Sequence, residues 1–197
     1  MRQASIMENL RLSVEKSEDM SFGCLVDQHD QLVASSFGSN SRILKKHLFE
    51  YSIKTIGKSP MHRHHWLTQE MIRRFEGAKN SKSVRLNRGF VSTHQARVCA
   101  VLEKIPTGKV TTYGLISNHI GSGPRAVGGA VGSSPWSLFV PCHRVVPRSL
   151  AIGNYSICGT LGENGSTTKR RLLLHEAVRI DENKIDSSAL WNPSEGD

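Results

Sequence analysis

The sequence predicts an α/β N-terminal domain, a small antiparallel sheet with helices, followed by a mainly α C-terminal domain with a helix-turn-helix. Short apolar segments typical of strands occupy the first forty residues, whereas apolar residues at helical spacing dominate from residue 92 onward. A polar, basic stretch at residues 77–89 separates the two patterns and is typical of a linker. We therefore expect domains at residues 1–88 and 89–180, followed by an acidic, flexible tail at 181–197.

The N-terminal elements begin with a predicted meander. Leu10, Leu12 and Val14 alternate with polar residues, which is the period of a half-buried strand. Apolar runs at 22–26 and 32–37 flank a turn at 27–30 and complete three antiparallel strands. Two helices against this sheet are predicted from apolar residues near helical spacing: Ile43, Leu44, Leu48 and Ile53, then Trp66, Met71, Ile72 and Phe75.

Three histidines near residue 62 are candidate metal ligands, together with Cys24. His62, His64 and His65 have i, i+2, i+3 spacing, which on a predicted helix does not bring three rings together. A solvated basic helix start is the preferred explanation. We predict no metal site.

The C-terminal domain opens with three predicted helices. Ser92 and Gln95 have capping-box spacing before an apolar helical face that ends at residues 106–108. A second helix follows Tyr113, residues 121–124 form a tight break, and a third helix begins near Arg125. This third helix consists of Ala, Val and Gly after Arg125. Such a thin helix suits close, sequence-independent approach to a nucleic-acid backbone, although small residues also permit close helix packing.

The charge is unevenly distributed along the 197 residues. The formal net charge is +9, but the chain from Asp181 onward carries −4, which leaves +13 on residues 1–180. A basic body favours a polyanionic partner, with nucleic acid first and an anionic membrane surface second. No apolar run approaches the length of a membrane span.

Cysteine usage and the chain start indicate a reducing compartment. The four cysteines are scattered without CxxC spacing, so neither a disulfide framework nor a zinc ribbon is predicted. The first twenty residues carry several charges and no apolar signal-peptide core. We expect an intracellular protein.

The chemistry centres on residues 141–146, Pro-Cys-His-Arg-Val-Val. Only a thiolate is a good nucleophile, and a free cysteine of pKa about 8.5 is mostly protonated at neutral pH. His143 and Arg144 would favour the anion of Cys142, and the apolar run at 136–140 would shield it. A buried structural cysteine beside a solvated His-Arg pair is the alternative.

Four segments in order carry a resemblance to a known family: Arg-Ala-Val-Gly-Gly-Ala at 125–130, the hexapeptide at 141–146, Gly-Asn-Tyr-Ser at 153–156 and Lys-Arg-Arg-Leu-Leu-Leu-His-Glu at 169–176. Together they resemble the O6-alkylguanine-DNA alkyltransferases, which repair DNA. The resemblance covers residues 92–178. It implies a ribonuclease-H-like N-terminal domain and a winged-helix-like C-terminal domain.

The resemblance implies catalytic roles that agree with the chemistry of the residues. Cys142 would accept the alkyl group, and Glu176 would orient the imidazole of His143. Because sequence neighbours on a helix do not face each other, we expect a bridging water between sulfur and imidazole. The product is a thioether, so one transfer per molecule is predicted, without metal or diffusible cofactor.

Further site residues follow from the resemblance. Arg125 would fill the space of a flipped-out base and Tyr113 would crowd the phosphate, with Gly114 and Ala126 beside them and Arg148 reaching another phosphate. The predicted base pocket contains Ser134, Val145, Tyr155, Ser156 and Lys169, with Tyr155 as a stacking ring.

Two departures from the family pattern surround this pocket. Ser134 stands where the family usually has asparagine, which predicts a softer turn. Residues 157–168 are longer than the usual connection and put the lesion size preference in question. Cys158 within them would form a disulfide with Cys142 under oxidation, or is an incidental free thiol.

The leading hypothesis is a DNA-repair transferase acting on O6-methylguanine, with O4-methylthymine as a second substrate. Its partner would be double-stranded DNA carrying O6-alkylguanine, without membrane contact, and the chain would be a monomer in the nucleus of a eukaryote or in the cytoplasm otherwise. A non-catalytic lesion-binding module and an unrelated thiol hydrolase are the alternatives. Cys142 argues against the first, and the thin helix argues against the second.

Overall fold

The chain falls into two compact units in a computed structural model that describes residues 9–78, 82–157, 160–161 and 165–195. The first unit comprises residues 1–74, 78–90 and 135–139, and the second comprises 75–77, 91–134 and 140–197. Within the described ranges, none of the helices has the length and apolar content that crossing a membrane requires.

The sheet of the first unit contains the predicted meander. Strands β1 (Arg11–Ser17), β2 (Met20–Val26) and β3 (Leu32–Gly38) pair antiparallel. A two-residue strand, β4 (Met61–His62), lies parallel to β1, so the strand order over the described residues is β3-β2-β1-β4. Strand β4 is too short to show a period and was missed by the sequence prediction.

Helix α1 (Ser41–Ile56) packs on this sheet through Leu44 and Leu48, which are buried. The approach is close, because a Cβ added to Gly23 of β2 would lie 2.6 Å from Leu48 Cδ1. Ile43 and Ile53, predicted for the same face, are 55% and 42% exposed. The prediction was wrong for these two residues, because the buried stripe of α1 runs through Leu44, Leu48 and Ser52.

Helix α2 (Leu67–Phe75) buries Met71, Ile72 and Phe75, as predicted, while Trp66 precedes it and is 41% exposed. The chain before α2 is extended, so the predicted helix start around the three histidines was wrong. His62 belongs to β4, whereas His64 and His65 lie in the connection that follows.

The described part of the predicted linker is attached to the first unit. Leu86 forms a parallel bridge with Leu32, whose N–H donates to the carbonyl of Arg85 over 2.8 Å. Residues 79–81 lie outside the described residues. The prediction of a linker was therefore wrong for the segment around Leu86, which pairs with Leu32 at the edge of the sheet formed by β3.

Residues 136–139 of the apolar run that precedes Cys142 also belong to the first unit. Trp136 is completely buried, and its Nε1 donates to the carbonyl of Leu32 over 3.1 Å. Ser35 N–H donates to the carbonyl of Pro135 over 2.7 Å. The run is therefore part of the hydrophobic core of the first unit. Its hydrophobicity alone did not indicate to which of the two units it belongs.

The second unit begins with the three predicted helices, α3 (Thr93–Lys104), α4 (Tyr113–Ile120) and α5 (Pro124–Gly132). Ser92 Oγ accepts the N–H of Gln95 over 3.1 Å, as the capping pattern predicts. A short strand, β5 (Thr111–Thr112), leads into α4, and Gly121, with φ of 63°, ends that helix.

The remaining elements complete the second unit. Strand β6 (Val145–Val146) pairs parallel with β5, and β7 (Ser156–Ile157) pairs antiparallel with β8 (Thr160–Leu161). Helix α6 (Gly165–His175) precedes an antiparallel pair, β9 (Ile180–Asp181) and β10 (Lys184–Ile185).

The described part of the predicted flexible tail is folded. Ile185 and Ala189 are 1% and 6% exposed and pack with Val110, Val146 and Leu173 in one hydrophobic cluster. The N–H of Val110 donates to the carbonyl of Ala189 over 2.9 Å. The tail prediction was wrong up to residue 195 because two apolar residues among many charges suffice to anchor a short segment.

Candidate active site

Cys142 opens a short 3-10 turn, Cys142–Arg144, directly before β6. Cys142 is 8% exposed, and its Sγ lies 3.5 Å from the hydroxyl of Tyr155. Burial raises the pKa of the Cys142 thiol, while the hydrogen bond from Tyr155 and the charge of Lys169 partly oppose this rise. The thiol is therefore protonated at neutral pH and requires a proton acceptor before it can act.

His143 is held by Glu176, as predicted. Its Nε2 lies 2.9 Å from Glu176 Oε1. Burial would raise the pKa of Glu176, but hydrogen bonds from His143 and Arg144 outweigh burial and lower the pKa to about 2. The carboxylate is thus an acceptor at neutral pH, which places the imidazole proton on Nε2.

The other nitrogen of this imidazole is a candidate proton acceptor. His143 Nδ1 is buried and, among the described residues, has no hydrogen-bond partner. Burial lowers the pKa of His143, so the ring is neutral at neutral pH and Nδ1 carries a lone pair. The expected lack of a direct bond between this nitrogen and Cys142 is confirmed, and the bridging water stays a prediction.

Arg144 is the residue that sequence reasoning assigned wrongly. Its Nε and Nη2 donate to Glu176 over 2.7 and 2.8 Å, and its Nη1 donates to the carbonyl of Ile105 over 2.6 Å. The guanidinium therefore fixes the carboxylate instead of favouring the Cys142 anion. The sequence offered one signal for this contact. Arg144 directly follows His143 in the hexapeptide, and the 3-10 turn brings both side chains to the same carboxylate, that of Glu176.

Lys169 lies on the buried face of α6 and is 1% exposed. Its Nζ donates to the carbonyl of Val145 over 2.7 Å. Burial lowers the pKa of Lys169 to about 8, against the opposing effect of Cys142. This ammonium, and not Arg144, is the cation that lowers the pKa of the thiol.

Tyr155 lies next to Cys142, and its predicted role as a stacking ring stays a prediction. It is 6% exposed, and its hydroxyl faces the sulfur of Cys142. Burial raises the pKa of this phenol well above its ordinary value, so it stays protonated and can donate a hydrogen bond. The backbone here is tightly packed, because a Cβ on Gly165 would overlap the carbonyl oxygen of Tyr155.

The remaining predicted pocket residues surround this arrangement unevenly. Val145 is buried in β6, and half-buried Ser156 begins β7. Ser134 instead directs its hydroxyl toward Cys99 of α3, with 3.8 Å between oxygen and sulfur. The prediction about the insertion rests partly on residues 158–159 and 162–164, including Cys158, which lie outside the described residues.

The predicted DNA-contacting residues lie on α4, α5 and the loop after β6. Arg125 and Ala126 are exposed on the first turn of α5, and Arg148 is exposed after β6. Tyr113 and Gly114 are half-buried at the start of α4. Burial, followed by the charge of Cys142, raises the pKa of Tyr113, so this phenol belongs to the same electrostatic environment as the sulfur.

Two of the three candidate histidines, His64 and His65, contact carboxylates. His64 Nε2 lies 2.7 Å from Glu15 Oε1, and His65 Nε2 lies 3.3 Å from Asp30 Oδ1. Over the ranges that the structure describes, no three His, Cys, Asp or Glu side chains are grouped to hold a metal ion.

Comparison with known proteins places this site in a family context. Residues 93–178 match the family model of the 6-O-methylguanine DNA methyltransferase DNA binding domain. A methylated-DNA–protein-cysteine methyltransferase of Saccharolobus islandicus is 46% identical over 79 residues, 40% of this chain and 47% of the relative. One from Methanothermobacter thermautotrophicus is 33% identical over 96 residues, 49% of this chain and 51% of the relative.

Solved structures extend the similarity to the fold. The structure of Mycobacterium tuberculosis OGT in complex with DNA matches with a TM-score of 0.63 and 26% identity, covering 84% of this chain and 92% of that one. The O6-methylguanine-DNA methyltransferase of Pyrococcus kodakaraensis has a TM-score of 0.65 and 21% identity, covering 86% and 99%. The second match concerns the fold alone.

The matched segment and the mixed α/β fold are similar to those of 6-O-methylguanine DNA methyltransferases. The resemblance to the O6-alkylguanine-DNA alkyltransferase family is confirmed, and the named relatives are methylated-DNA–protein-cysteine methyltransferases. The chain spans about half the length of these curated relatives in the matched region.

Proposed function

We propose that this chain repairs DNA by moving the alkyl group of O6-methylguanine to Cys142, once per molecule. The observation that carries the proposal is the buried Nδ1 of His143, which has no hydrogen-bond partner in the described part of the chain and lies in the same turn as Cys142, while Nε2 is fixed by Glu176. A neutral imidazole with a free lone pair is the general base that a buried thiol needs. The names of the relatives support the same reaction.

The proposed transfer balances without a further reactant. The thiol proton of Cys142 passes through a water to His143 Nδ1, and the imidazolium is stabilised by Glu176. The sulfur then forms a bond to the alkyl carbon while the carbon–oxygen bond breaks and its electron pair stays on guanine. Guanine takes up the proton that the imidazolium of His143 returns through water, which restores the neutral ring, and the alkyl group remains on Cys142 as a thioether.

Tyr155 and Lys169 have supporting roles in this proposal. The protonated phenol of Tyr155 donates a hydrogen bond to the thiolate and then to the departing base, together with backbone N–H groups near Ser156. Lys169 supplies positive charge as the sulfur becomes anionic. Val145 forms the apolar wall of the base pocket, and Ser134 stabilises the turn through α3.

Double-stranded DNA is the proposed partner, because an O6-alkyl group inside the duplex is reached only after the base is flipped out. Exposed Arg125 would fill the vacated space, and the small side of α5, with Ala126, would allow the backbone to come close. Tyr113 and Gly114 would crowd one phosphate, and Arg148 would contact another. The finer fold proposal is a winged-helix-like second unit and a ribonuclease-H-like first unit.

Intact-mass analysis after incubation with duplex carrying O6-methylguanine tests the reaction. We expect one added methyl group on the Cys142 peptide and none in Cys142→Ala. Binding without a gain in mass would favour a lesion-binding module. Repeated turnover would indicate a hydrolase and contradict single transfer. A duplex carrying O4-methylthymine tests the second substrate.

Arg125→Ala tests base flipping separately from the chemistry. We expect repair of duplex to slow by about tenfold or more, whereas reaction with the free base O6-benzylguanine stays within twofold, because a free base needs no extrusion. Arg42→Ala, an exposed substitution on α1, serves as the control. Equal losses on duplex and free base would remove Arg125 from this role.

A further inference from the structure

The first unit contains a basic pocket that the proposed alkyl transfer does not use. This cavity of about 270 Å³ is lined by Leu12, Ser13, Val14, Lys45, His62, Arg63 and His64. We propose that it binds a phosphate group, either of a nucleic-acid backbone or of a free phosphomonoester.

The pocket lies at the edge of the sheet, between β1, β4 and the first half of α1. The N–H groups of Met61 and Arg63 donate to the carbonyls of Leu10 and Leu12 over 2.8 and 3.0 Å. Because N–H groups alternate in direction along a strand, the N–H of His62 points away from β1. Strand β4 is the last of the sheet, so this backbone donor faces the open edge.

The charge of the lining is entirely positive or neutral. Lys45 and Arg63 are exposed and, within the ranges that the structure describes, form no ion pair with a carboxylate. No aspartate or glutamate lines the cavity. The nearest one in sequence, Glu15, accepts from Thr68 over 2.6 Å and contacts His64 over 2.7 Å. Two cations at a concave surface therefore lack a counter-charge.

Phosphate matches these groups better than a carboxylate or an apolar ligand does. Arg63 can donate two parallel hydrogen bonds to phosphate oxygens, and Lys45 adds a point charge. The imidazole of His62 supplies a further donor, whereas Nε2 of His64 is engaged by Glu15. The apolar floor of Leu12 and Val14 accommodates the carbon atoms next to the phosphate, and about 270 Å³ suits one phosphate with its sugar.

Imidazole NMR signals of His62 and His64 in the full chain report on the pocket directly. Inorganic phosphate and a twelve-residue single-stranded oligothymidylate are titrated separately at constant pH and ionic strength. We expect saturable shifts of both signals. The double variant Lys45→Gln, Arg63→Gln should weaken phosphate binding by about tenfold or more, since it removes two charge-assisted contacts.

The matched control is Arg42→Gln, Lys46→Gln, which removes the same charges from α1 outside the cavity and should change phosphate affinity less than twofold. For the oligonucleotide, loss of two phosphate contacts should reduce the slope of log K against log salt by about 1.4. Response to both probes assigns the pocket to a nucleic-acid backbone, and response to phosphate alone assigns it to a free phosphomonoester.

The proposal is overturned if neither probe shifts His62 and His64, or if the pocket variant and the control behave alike. Thermal melting of both double variants ensures that the comparison is between folded proteins. Alkyl transfer from free O6-benzylguanine should be the same in all of them, because the lining residues belong to the first unit. Failure of this proposal therefore leaves the proposed transfer untouched, and the reverse also holds.

Discussion

Glu176→Gln separates the charge of the buried carboxylate from its shape. In the folded chain this carboxylate accepts one hydrogen bond from His143 and two from Arg144, with distances between 2.7 and 2.9 Å. A glutamine has a single oxygen acceptor and cannot serve three donors. It also offers an NH2 group, which allows the imidazole to adopt the wrong tautomer.

The size of the effect follows from the pKa of Glu176. The pKa falls from 4.5 to about 2 on folding, and each unit corresponds to about 1.4 kcal/mol, so the carboxylate contributes about 3 kcal/mol at neutral pH. The side chain is 14% exposed, which limits screening by solvent. Because the folded pKa is the lower one, this stability is complete above about pH 4.5 and is lost as the pH falls toward 2.

Urea unfolding at pH 7 and at pH 3 measures this contribution. Glu176→Gln should lose about 3 kcal/mol at pH 7 and clearly less at pH 3, and its alkyl transfer should slow by about 10²- to 10⁴-fold, as expected for a disoriented imidazole. Glu50→Gln, in an exposed pair with Lys46, should cost at most about 0.5 kcal/mol. If Glu176→Gln lost the same unfolding free energy at pH 7 and at pH 3, the negative charge of Glu176 would not be the cause of the loss.

Three further substitutions test the surroundings of the sulfur. Folding lowers the pKa of Lys169 from 10.5 to about 8, so the unfolded chain binds more protons at this side chain between these values. The unfolding free energy of the wild type, measured relative to that of Lys169→Met, should therefore rise with pH through this window. Tyr155→Phe removes a hydrogen bond that lowers the pKa of Cys142, so the pH midpoint of Cys142 alkylation by iodoacetamide should move upward; an unchanged midpoint would contradict this role. Gly165→Ala should lower the unfolding free energy by more than about 1 kcal/mol, because the added Cβ overlaps a backbone carbonyl. Gly129→Ala, with open space around it, should instead raise the unfolding free energy, by at most about 1 kcal/mol. Similar values for the two variants would contradict the close packing at Gly165.

Local signals in the sequence were sufficient for most elements of the fold. The meander was predicted because its alternation and turn residues are short-range features, and the cap at Ser92 predicts the start of α3 in the same way. Strand β4 and the folded tail were missed, because two-residue segments are stabilised by partners far away in the chain. Ile43 and Ile53 show that helical spacing alone does not distinguish a buried position from an exposed one.

The sequence by itself determined the reactive group and its class of chemistry, because a cysteine, a histidine and a distant glutamate stand in an order that resembles a known family. Only the tertiary structure decided which nitrogen of His143 is free, that Arg144 binds Glu176, and that Tyr155 and Lys169 are the groups that act on the pKa of Cys142. The physical reason is that protonation depends on burial and on atoms within a few ångströms, and residues 142, 155, 169 and 176 become neighbours only when the chain folds.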